Sequence, residues 1–384
     1  MPDLSPIPFV KAYVAGDELL YVNQSFSSAA VAGDGPFTAR ATELITKLTG
    51  GVGSLLTTSC THALEMTALL LDLEPGDEVI MPSFTFVSTA NAYALRGAVP
   101  VFVDIRPDTL NLDETQIEAA ITERTKAIVV VHYAGVAAAM DEVLAIAAKY
   151  GLPVIEDNAH GLGGSYHGRP LGSLGLMATQ SFHGTKNVHC GEGGALVVND
   201  ADLLARAEVI REKGTNRSQF FRGQVDKYRW VDIGSSYLPA DPLAAFLTAQ
   251  LEHFDEIHAP RLASWQRYDG ALAEWAGSHG VGVPTVPAGC VHPAHMYYLL
   301  MPSHEHQQGL IAHLRERNVS APFHYVPLHS SPAGEKYGRV GPGGCAVTDR
   351  VSSSLVRLPL YSQLTEEEQN RVIDGVHSYS FGPA

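Results

Sequence analysis

The sequence has few cationic residues and few cysteines, and each shortage excludes a class of protein. Of its 384 residues, 26 are Lys or Arg and 41 are Asp or Glu, so the formal net charge is −15. Nucleic acids and anionic membranes bind to clustered cations, so this balance argues against either as the main partner. The four cysteines (Cys60, Cys190, Cys290 and Cys345) form no CxxC pair. A disulfide or zinc framework is therefore not expected, and a reducing cytoplasm fits the composition.

Long hydrophobic runs are also missing. No stretch approaches the roughly 20 uninterrupted apolar residues of a membrane span. The segment MPDLSPIPFVKAY has no cationic part followed by an apolar run, so we expect no signal peptide. The triplet His304-Glu305-His306 resembles a metal motif, but a solvated loop is the simpler interpretation, and no metal site is predicted.

The sequence is rich in apolar residues, at 45%, which excludes disorder as its main theme. Short β-branched runs alternate with helical stretches from about residue 54 to 200. The pattern predicts strands over 78–82, 99–105, 127–133, 153–157, 178–182 and 194–200, and helices over 64–73, 87–97 and 141–151. Apolar strands that alternate with helices indicate a mostly parallel sheet covered on both faces.

The pattern changes after residue 200. We predict a helix from 201 that ends at a left-handed Gly214, an ordered polar and aromatic loop over 215–230, and helices from about 240 to 276. The last hundred residues read as a smaller α+β unit. Because the chain is too long for one ordinary core, two domains are expected, residues 1–250 and residues 251–384.

Two segments of the first domain are candidates for binding a phosphorylated ring. TTSCTHALEM (57–66) opens into a helix, and helix N–H groups beside the hydroxyls of Ser59 and Thr61 form a ready anion site. PSFTF (82–86) follows a strand at the end where α/β sheets place ligands, so Phe84 or Phe86 could stack on a flat ring. A plain helix cap and two core phenylalanines are the alternatives.

Two further segments carry titratable groups. VIEDNAH (154–160) brings Glu156 and Asp157 to the end of a strand, where a carboxylate can keep a heteroaromatic ring nitrogen protonated. SFHGTKNVHCGEGGALVV (181–198) places Lys186 between two strands, after Ser181 and before a glycine-rich turn. A sheltered lysine can form an imine with an aldehyde cofactor, and Ser181 could help to hold its phosphate. A turn carboxylate and a solvated lysine are the alternatives.

Taken together, the anion loop, the aromatic residue, the acid and the lysine describe a pyridoxal-phosphate (PLP) site. In such a site a protonated pyridine is the electron sink, the lysine is the internal base and the phosphate is the anchor. A dinucleotide fold is disfavoured, because GEGG is not a GxGxxG fingerprint and none follows an early strand.

With these motifs the chain resembles the nucleotide-sugar aminotransferases, PLP-dependent transferases of the aspartate-aminotransferase fold (fold type I), from about residue 5 to about residue 380. The blocks EDNAH, SFHGTKN and GEGGAL carry the resemblance. Residues 214–238 and 323–338 are similar to one subgroup, the dTDP-4-amino-4,6-dideoxygalactose transaminases. The implied fold is α/β, with a large, mostly parallel mixed-sheet domain and a smaller C-terminal α+β domain.

The resemblance also implies roles for individual residues. Lys186 would be the Schiff-base lysine and Asp157 the partner of the pyridinium nitrogen, the two catalytic residues. His160 stands where the family usually has Gln and would contact the ring hydroxyl. The remaining cofactor contacts would be Phe86, stacked on the ring, with Ser59, Cys60, Thr61 and Ser181 at the phosphate.

The family motif Asn-Tyr-Arg, whose Asn reaches the phosphate of the neighbouring subunit, is replaced here by Ser236, Tyr237 and Leu238. Ser236 or Asn216 would make that contact instead. The missing Arg implies that the sugar or the donor is bound in a different way. His324 and His329 are candidates for the sugar or diphosphate pocket, with structural roles as the alternative. The cations Arg211, Lys213, Arg217 and Arg222 are candidates for the diphosphate, with plain surface charge as the alternative.

The implied reaction transfers an amino group from L-glutamate to C4 of dTDP-4-keto-6-deoxy-D-glucose. The products would be 2-oxoglutarate and a dTDP-4-amino-4,6-dideoxy sugar, of galacto configuration by resemblance, made by a homodimer with its sites at the subunit interface. The alternative product of the same reaction is the gluco epimer, as a sugar for a secondary metabolite. A pyridoxamine-dependent sugar dehydratase is disfavoured because such relatives replace the lysine, and a sugar-binding regulator would need a basic DNA-binding module.

Overall fold

The computed structural model describes residues 5–29 and 31–382, and its largest element is an eight-stranded sheet. The strands of the described chain are β1 (Gly53–Thr57), β2 (Glu78–Pro82), β3 (Val99–Val103), β4 (Thr125–Val131), β5 (Val154–Asp157), β6 (Ser165–Tyr166), β7 (Arg169–Pro170), β8 (Met177–Ser181), β9 (Gly194–Val198), β10 (Cys290–Val291), β11 (Tyr297–Leu300), β12 (Arg339–Val340) and β13 (Leu355–Leu358). The large sheet has the order β1-β9-β8-β5-β4-β2-β3-β12. Strand β9 runs antiparallel to both of its neighbours and the other pairs are parallel, so the sheet is mixed and mostly parallel, as predicted.

Helices cover both faces of this sheet and build a second unit at its side. They are α1 (Glu18–Ser27), α2 (Pro36–Thr49), α3 (Cys60–Leu70), α4 (Val87–Ala94), α5 (Ile117–Ala120), α6 (Met140–Tyr150), α7 (Ala201–Arg211), α8 (Arg217–Phe221), α9 (Asp241–Glu252), α10 (Phe254–His279), α11 (His304–Arg315), α12 (Pro332–Tyr337), α13 (Ala346–Ser352) and α14 (Glu366–His377). Within residues 5–29 and 31–382, no helix is both long enough and apolar enough to cross a membrane.

The sheet is buried on both faces, which explains its continuous apolar strands. Along β4, Val129 packs in the core under α3, whereas Ile128 and Val130 pack in the core under α6. Alternate residues of a strand point to opposite faces, so a strand covered on both sides favours apolar residues at successive positions. The amphipathic α6 ends at Gly151, which adopts the left-handed conformation at φ 65°.

A separate apolar core forms the C-terminal unit, which we define as α10, α11 and α14 packed on the antiparallel pair β11–β13. Two features link this unit to the rest of the chain. Ile7 packs in its core, and β12 (Arg339–Val340) joins the edge of the large sheet beside β3. The predicted domain division at residue 250 stays a prediction.

Several predicted boundaries need correction. The helix expected over 64–73 is α3, which starts at Cys60 because the Ser59 side chain caps it. The helix expected to end at Gly214 stops at Arg211; Gly214 does have a positive φ of 74°, but it lies in a tight loop against Asp232. The loop expected over 215–230 contains the short helix α8, and β1, α1 and α2 were not predicted.

Candidate functional site

The carboxyl ends of β2, β5 and β8 open onto one cavity of about 680 Å³, which also touches the start of α3 and the C-terminal unit. This is the edge where α/β sheets place ligands. The cavity brings together most of the residues singled out from the sequence: Ser59, Cys60, Thr61, Phe86, Asp157, His160, Ser181, Lys186 and His324.

The two acids at the end of β5 point to opposite sides of the sheet. Glu156 accepts hydrogen bonds from His132 Nε2 at 2.9 Å and from three backbone N–H groups of residues 172–175, so it supports the fold. Asp157 lines the cavity. Its Oδ2 accepts from Thr89 Oγ1 at 2.7 Å and its Oδ1 from the Ala159 N–H at 3.2 Å. Burial raises the pKa of Asp157 above its ordinary value, and these two hydrogen bonds oppose that rise.

Lys186 lies in the loop between β8 and β9, with its backbone N–H bonded to the His183 carbonyl at 2.9 Å. The surrounding protein lowers the pKa of its ammonium from 10.5 to about 8, because burial disfavours the charged form. The Asp157 carboxylate opposes this shift. An amine with a pKa near 8 can act both as a nucleophile and as a base close to neutral pH.

The start of α3 provides an anion site at one end of the cavity. The Ser59 Oγ accepts from the His62 N–H at 3.1 Å, and its own O–H proton stays available as a donor. Thr61 Oγ1 lies 2.7 Å from Ser88 Oγ. A Cβ on Gly194 would lie 2.3 Å from the Cys60 nitrogen, so only glycine lets β9 approach this turn so closely. The first N–H groups of a helix lack partners within it, and they attract anions.

The two phenylalanines of PSFTF have different surroundings. Phe84 is 1% exposed and packs edge-on against Tyr325, so it belongs to the core. Phe86, at the start of α4, is 57% exposed and lines the cavity. Of the two candidates, Phe86 is the ring that a flat ligand can reach.

His160 lines the cavity, and one of its ring nitrogens has no hydrogen-bond partner among the described residues. Its ring stacks on His295 at 4.3 Å, and its Nε2 lies 3.3 Å from the Tyr325 hydroxyl. Its Nδ1 is buried and has no hydrogen-bond partner on the described part of the chain. Burial lowers the pKa of His160 well below its ordinary value, so the imidazole is neutral. An unpaired buried nitrogen is costly unless a ligand satisfies it.

The C-terminal unit and the N-terminal segment complete the wall with residues that were not predicted from the sequence. They include Phe9, Arg261, His295, Met296, Tyr325 and Arg357. His295 Nδ1 lies 3.0 Å from the side-chain oxygen of Asn187, the residue that follows Lys186. His324 Nδ1 lies 2.7 Å from the Tyr133 hydroxyl. These residues are distant in sequence and belong to no common motif, so only the fold brings them together.

Several of the expected residues do not line this cavity, among them Asn216, Arg217, Ser236 and His329. Asn216 accepts from the Arg229 N–H, and Arg217 pairs with Glu212 at 3.1 Å. Ser236 is exposed, and His329 Nδ1 lies 2.8 Å from Ser83 Oγ. The expected contacts of Asn216 and Ser236 would reach a neighbouring subunit, so their roles, like those of Arg217 and His329, stay predictions.

Known proteins resemble this chain along nearly its whole length. Residues 13–377 match the DegT/DnrJ/EryC1/StrS aminotransferase family. The uncharacterized protein MJ1066 of Methanocaldococcus jannaschii is 32% identical over 348 residues, 89% of each chain. The structure of the aminotransferase TlmJ from Streptoalloteichus hindustanus superposes with a TM-score of 0.88 at 29% identity, over 97% of this chain and 98% of that one. The PMP-form of Spr1654 from Streptococcus pneumoniae superposes with a TM-score of 0.89 at 25% identity, over the same shares.

Proposed function

The chain belongs to the DegT/DnrJ/EryC1/StrS aminotransferase family, and from this premise we propose that it transfers an amino group from L-glutamate to C4 of dTDP-4-keto-6-deoxy-D-glucose. The predicted family, fold type I and PLP cofactor are confirmed, and the chain is a sugar aminotransferase of this family. The proposed products are 2-oxoglutarate and a dTDP-4-amino-4,6-dideoxy sugar of galacto configuration. The observation that supports this reaction best is that Lys186, Asp157 and the start of α3 line one cavity.

The residues of the cavity fit PLP by their chemistry. The start of α3, with Ser59 and Thr61, suits the phosphate, and Ser181 lines the same cavity. Asp157 suits the ring nitrogen, because a buried carboxylate favours a protonated partner. The unpaired Nδ1 of His160 suits the ring hydroxyl, with which it can share a proton. When bound, PLP supplies an electron sink for the carbon that loses its proton.

Lys186 is the group that moves protons in this proposal. Its pKa near 8 lets its Nζ take a proton from the α-carbon of the donor. In the second half of the reaction, the same Nζ gives a proton to C4 of the sugar. Asp157 keeps a proton on the ring nitrogen throughout. The dehydratase alternative lacks support, because its relatives have no lysine here, whereas Lys186 reaches the cavity.

We also propose a homodimer with its sites at the interface. Large apolar side chains are exposed in the segment 214–238 and in α1, including Trp230 at 81%, Phe221 at 69% and Leu19 at 69%. Apolar surface of this kind is typical of protein–protein contacts. Sedimentation analysis of the holoenzyme should give twice the chain mass of 41.1 kDa, and a monomer at micromolar concentration would contradict the proposal.

The reaction is tested by incubating the holoenzyme with dTDP-4-keto-6-deoxyglucose and L-glutamate. We expect a 4-amino sugar whose NMR couplings at C4 have the galacto pattern, together with one equivalent of 2-oxoglutarate. Large axial couplings at C4 would show the gluco epimer and overturn the stereochemical assignment. If the holoenzyme consumes glutamate but leaves this sugar unchanged, the proposed substrate is wrong.

A further inference from the structure

The residue that follows Lys186 has a side chain that is bonded at both ends of its amide. Asn187 is half-buried in the loop between β8 and β9, which we call the lysine loop. Its Nδ2 donates to the Pro293 carbonyl at 2.7 Å, and its Oδ1 lies 3.0 Å from His295 Nδ1. Both partners belong to the segment that leads into β11 of the C-terminal unit. Asn187 therefore ties the lysine loop to that unit.

The direction of these two bonds follows from their chemistry. A carbonyl only accepts, so the amide nitrogen of Asn187 faces Pro293 and its oxygen faces His295. The amide oxygen also only accepts, so His295 Nδ1 carries a proton. Burial lowers the pKa of His295 well below its ordinary value, so the ring is neutral and its Nε2 carries no proton. The contact with Asn187 thus fixes one tautomer of His295.

His295 is held firmly by the residues around it. Arg261 Nη2 donates to its carbonyl at 2.8 Å, and its ring stacks on the His160 ring at 4.3 Å with 20° between the two planes. The preceding residue, Ala294, is fully buried and has a φ of 48°. This left-handed conformation costs a residue other than glycine about 1–3 kcal/mol and persists where the surrounding contacts determine the backbone. His295 is therefore a rigid point of attachment for the lysine loop.

The backbone bonds beside Lys186 stay within the lysine loop. The Lys186 N–H bonds the His183 carbonyl at 2.9 Å, and the Gly184 N–H bonds the Gly191 carbonyl at 2.8 Å. Both bonds close turns inside the loop, so they do not set its distance from the C-terminal unit. The two bonds of Asn187 do set it, because they reach residues 106 and 108 positions later in the chain.

We infer that the contact between Asn187 and His295 positions Lys186, so that its Nζ stays in the cavity where it attaches the cofactor and moves protons. The inference rests on the proposed role of Lys186. Asn187 and His295 are positioning residues in this account. They exchange no proton with a substrate and act through the place that they give to the lysine.

The pKa of Lys186 reports on this restraint. Burial lowers it from 10.5 to about 8, Cys60 and Asp157 act in the opposite direction, and the Arg357 guanidinium adds to the lowering. Neutral imidazoles also face the lysine, those of His160, His295 and His324. If the lysine loop loosens, Lys186 gains access to water and its pKa rises toward 10.5. Covalent attachment of PLP needs the neutral amine, so the pH dependence of attachment follows this pKa.

The test mixes the Asn187→Ala and His295→Ala apoenzymes with PLP and follows attachment by absorbance from pH 6.5 to 10.5. We expect the rate to be half-maximal near pH 8 in wild type and about one pH unit higher in both variants. His295→Asn, whose amide N–H replaces the Nδ1–H, should restore the wild-type value. The matched control is Asn199→Ala, because Asn199 Nδ2 donates to the carbonyls of Gly172 and Gly175 and does not line the cavity. This control should unfold at lower urea concentration but keep the wild-type pH of attachment.

A double variant shows whether the two residues act through one contact. In the His295→Ala background, Asn187→Ala should raise the pH of attachment less than it does alone, because the bond between the two side chains is already lost. Fully additive shifts would contradict the inference.

Other outcomes would also overturn it. Unchanged pH values in both single variants would show that the contact does not position Lys186, and an equal shift in Asn199→Ala would show a general loss of stability instead. If wild type attaches no PLP, the proposed role of Lys186 and this inference fail together. A holoenzyme that leaves the proposed sugar unchanged does not affect the result, since attachment needs no substrate. Should Asn187→Ala not fold, Asn187→Ser gives the same comparison.

Discussion

The hydroxyl of Thr89 donates a 2.7 Å hydrogen bond to Oδ2 of Asp157, and Thr85 Oγ1 lies 2.8 Å from Thr89 Oγ1. Thr89 is fully buried and Asp157 is 5% exposed, so water does not replace this bond. Burial raises the pKa of Asp157, and the bond from Thr89 is the largest contribution in the opposite direction. Thr89 therefore helps to keep Asp157 ionised and oriented for the ring nitrogen of the cofactor.

Replacing Thr89 with Val keeps the shape of the side chain and removes this hydrogen bond. Because a bond to a charged group contributes about 1.5–3 kcal/mol, we expect the affinity for PLP and the rate of the glutamate half-reaction each to fall about 10-fold or more. Fluorescence titration of the apoenzyme with PLP and stopped-flow absorbance measure the two effects. Thr89→Ser, which keeps the hydroxyl, should have a PLP affinity and a half-reaction rate close to those of wild type. If Thr89→Val also matched wild type in both, Thr89 would not act on Asp157.

The lowered pKa of Lys186 sets the pH at which the apoenzyme captures its cofactor. Covalent attachment needs the neutral amine, which predominates above the pKa of about 8 rather than above the ordinary lysine value of 10.5. We expect the rate of attachment to rise with pH and to level off above about pH 8.5. Absorbance of apoenzyme mixed with PLP from pH 6.5 to 9.5 tests this. A rate that still increases tenfold per pH unit at pH 9.5 would contradict the lowered pKa.

Glu78 connects the edge strand β12 to the large sheet. Its carboxylate, which is inaccessible to solvent, accepts from Arg339 Nε at 2.9 Å and Nη2 at 2.7 Å and from Arg124 Nη2 at 2.7 Å. We expect Glu78→Gln to lower the free energy of unfolding by about 1–3 kcal/mol, because a buried charge pair loses one partner. Glu118→Gln, which breaks the exposed pair with Lys149, should cost less than about 1 kcal/mol.

The stability that Glu78 provides should depend on pH in a defined direction. The hydrogen bonds from Arg339 lower its pKa from 4.5 to about 2, so the folded state favours the ionised carboxylate. The contribution is complete above pH 4.5 and is lost as the pH falls toward 2. Urea unfolding at several pH values should therefore show the difference between wild type and Glu78→Gln shrinking below pH 4.5. A constant difference would mean that the charge of Glu78 is not its source.

The sequence predicted the strands that carry the site better than the elements at the sheet edges. The strand EVIMP at residues 78–82 is found as predicted, because a strand buried on both faces favours a continuous apolar run, here at residues 79–81. β1 and β12 were missed, because β1 begins with Gly and Ser and β12 has only two residues, so neither gives a clear apolar run. The start of α3 at Cys60 depends on the cap by Ser59, which the small polar cluster suggested but did not locate.

The site was predicted only in part, for a comparable reason. Lys186, Asp157 and Ser59 lie next to strand ends and helix starts, where local sequence indicates a ligand edge. Arg357 and His295 have no such local signal, because they reach the cavity from another unit through contacts between residues far apart in sequence. The cross-subunit roles expected of Ser236 and Asn216 depend on a second chain.

The central claim is that Lys186 holds PLP and takes an amino group from L-glutamate, and the absorbance spectrum of the purified holoenzyme tests it most directly. We expect a yellow protein whose visible band disappears on addition of L-glutamate, with one 2-oxoglutarate formed per site. Lys186→Ala should lack both the covalently attached cofactor and this conversion. A wild-type spectrum that no amino donor changes, or a Lys186→Ala variant that turns over repeatedly, would contradict the claim.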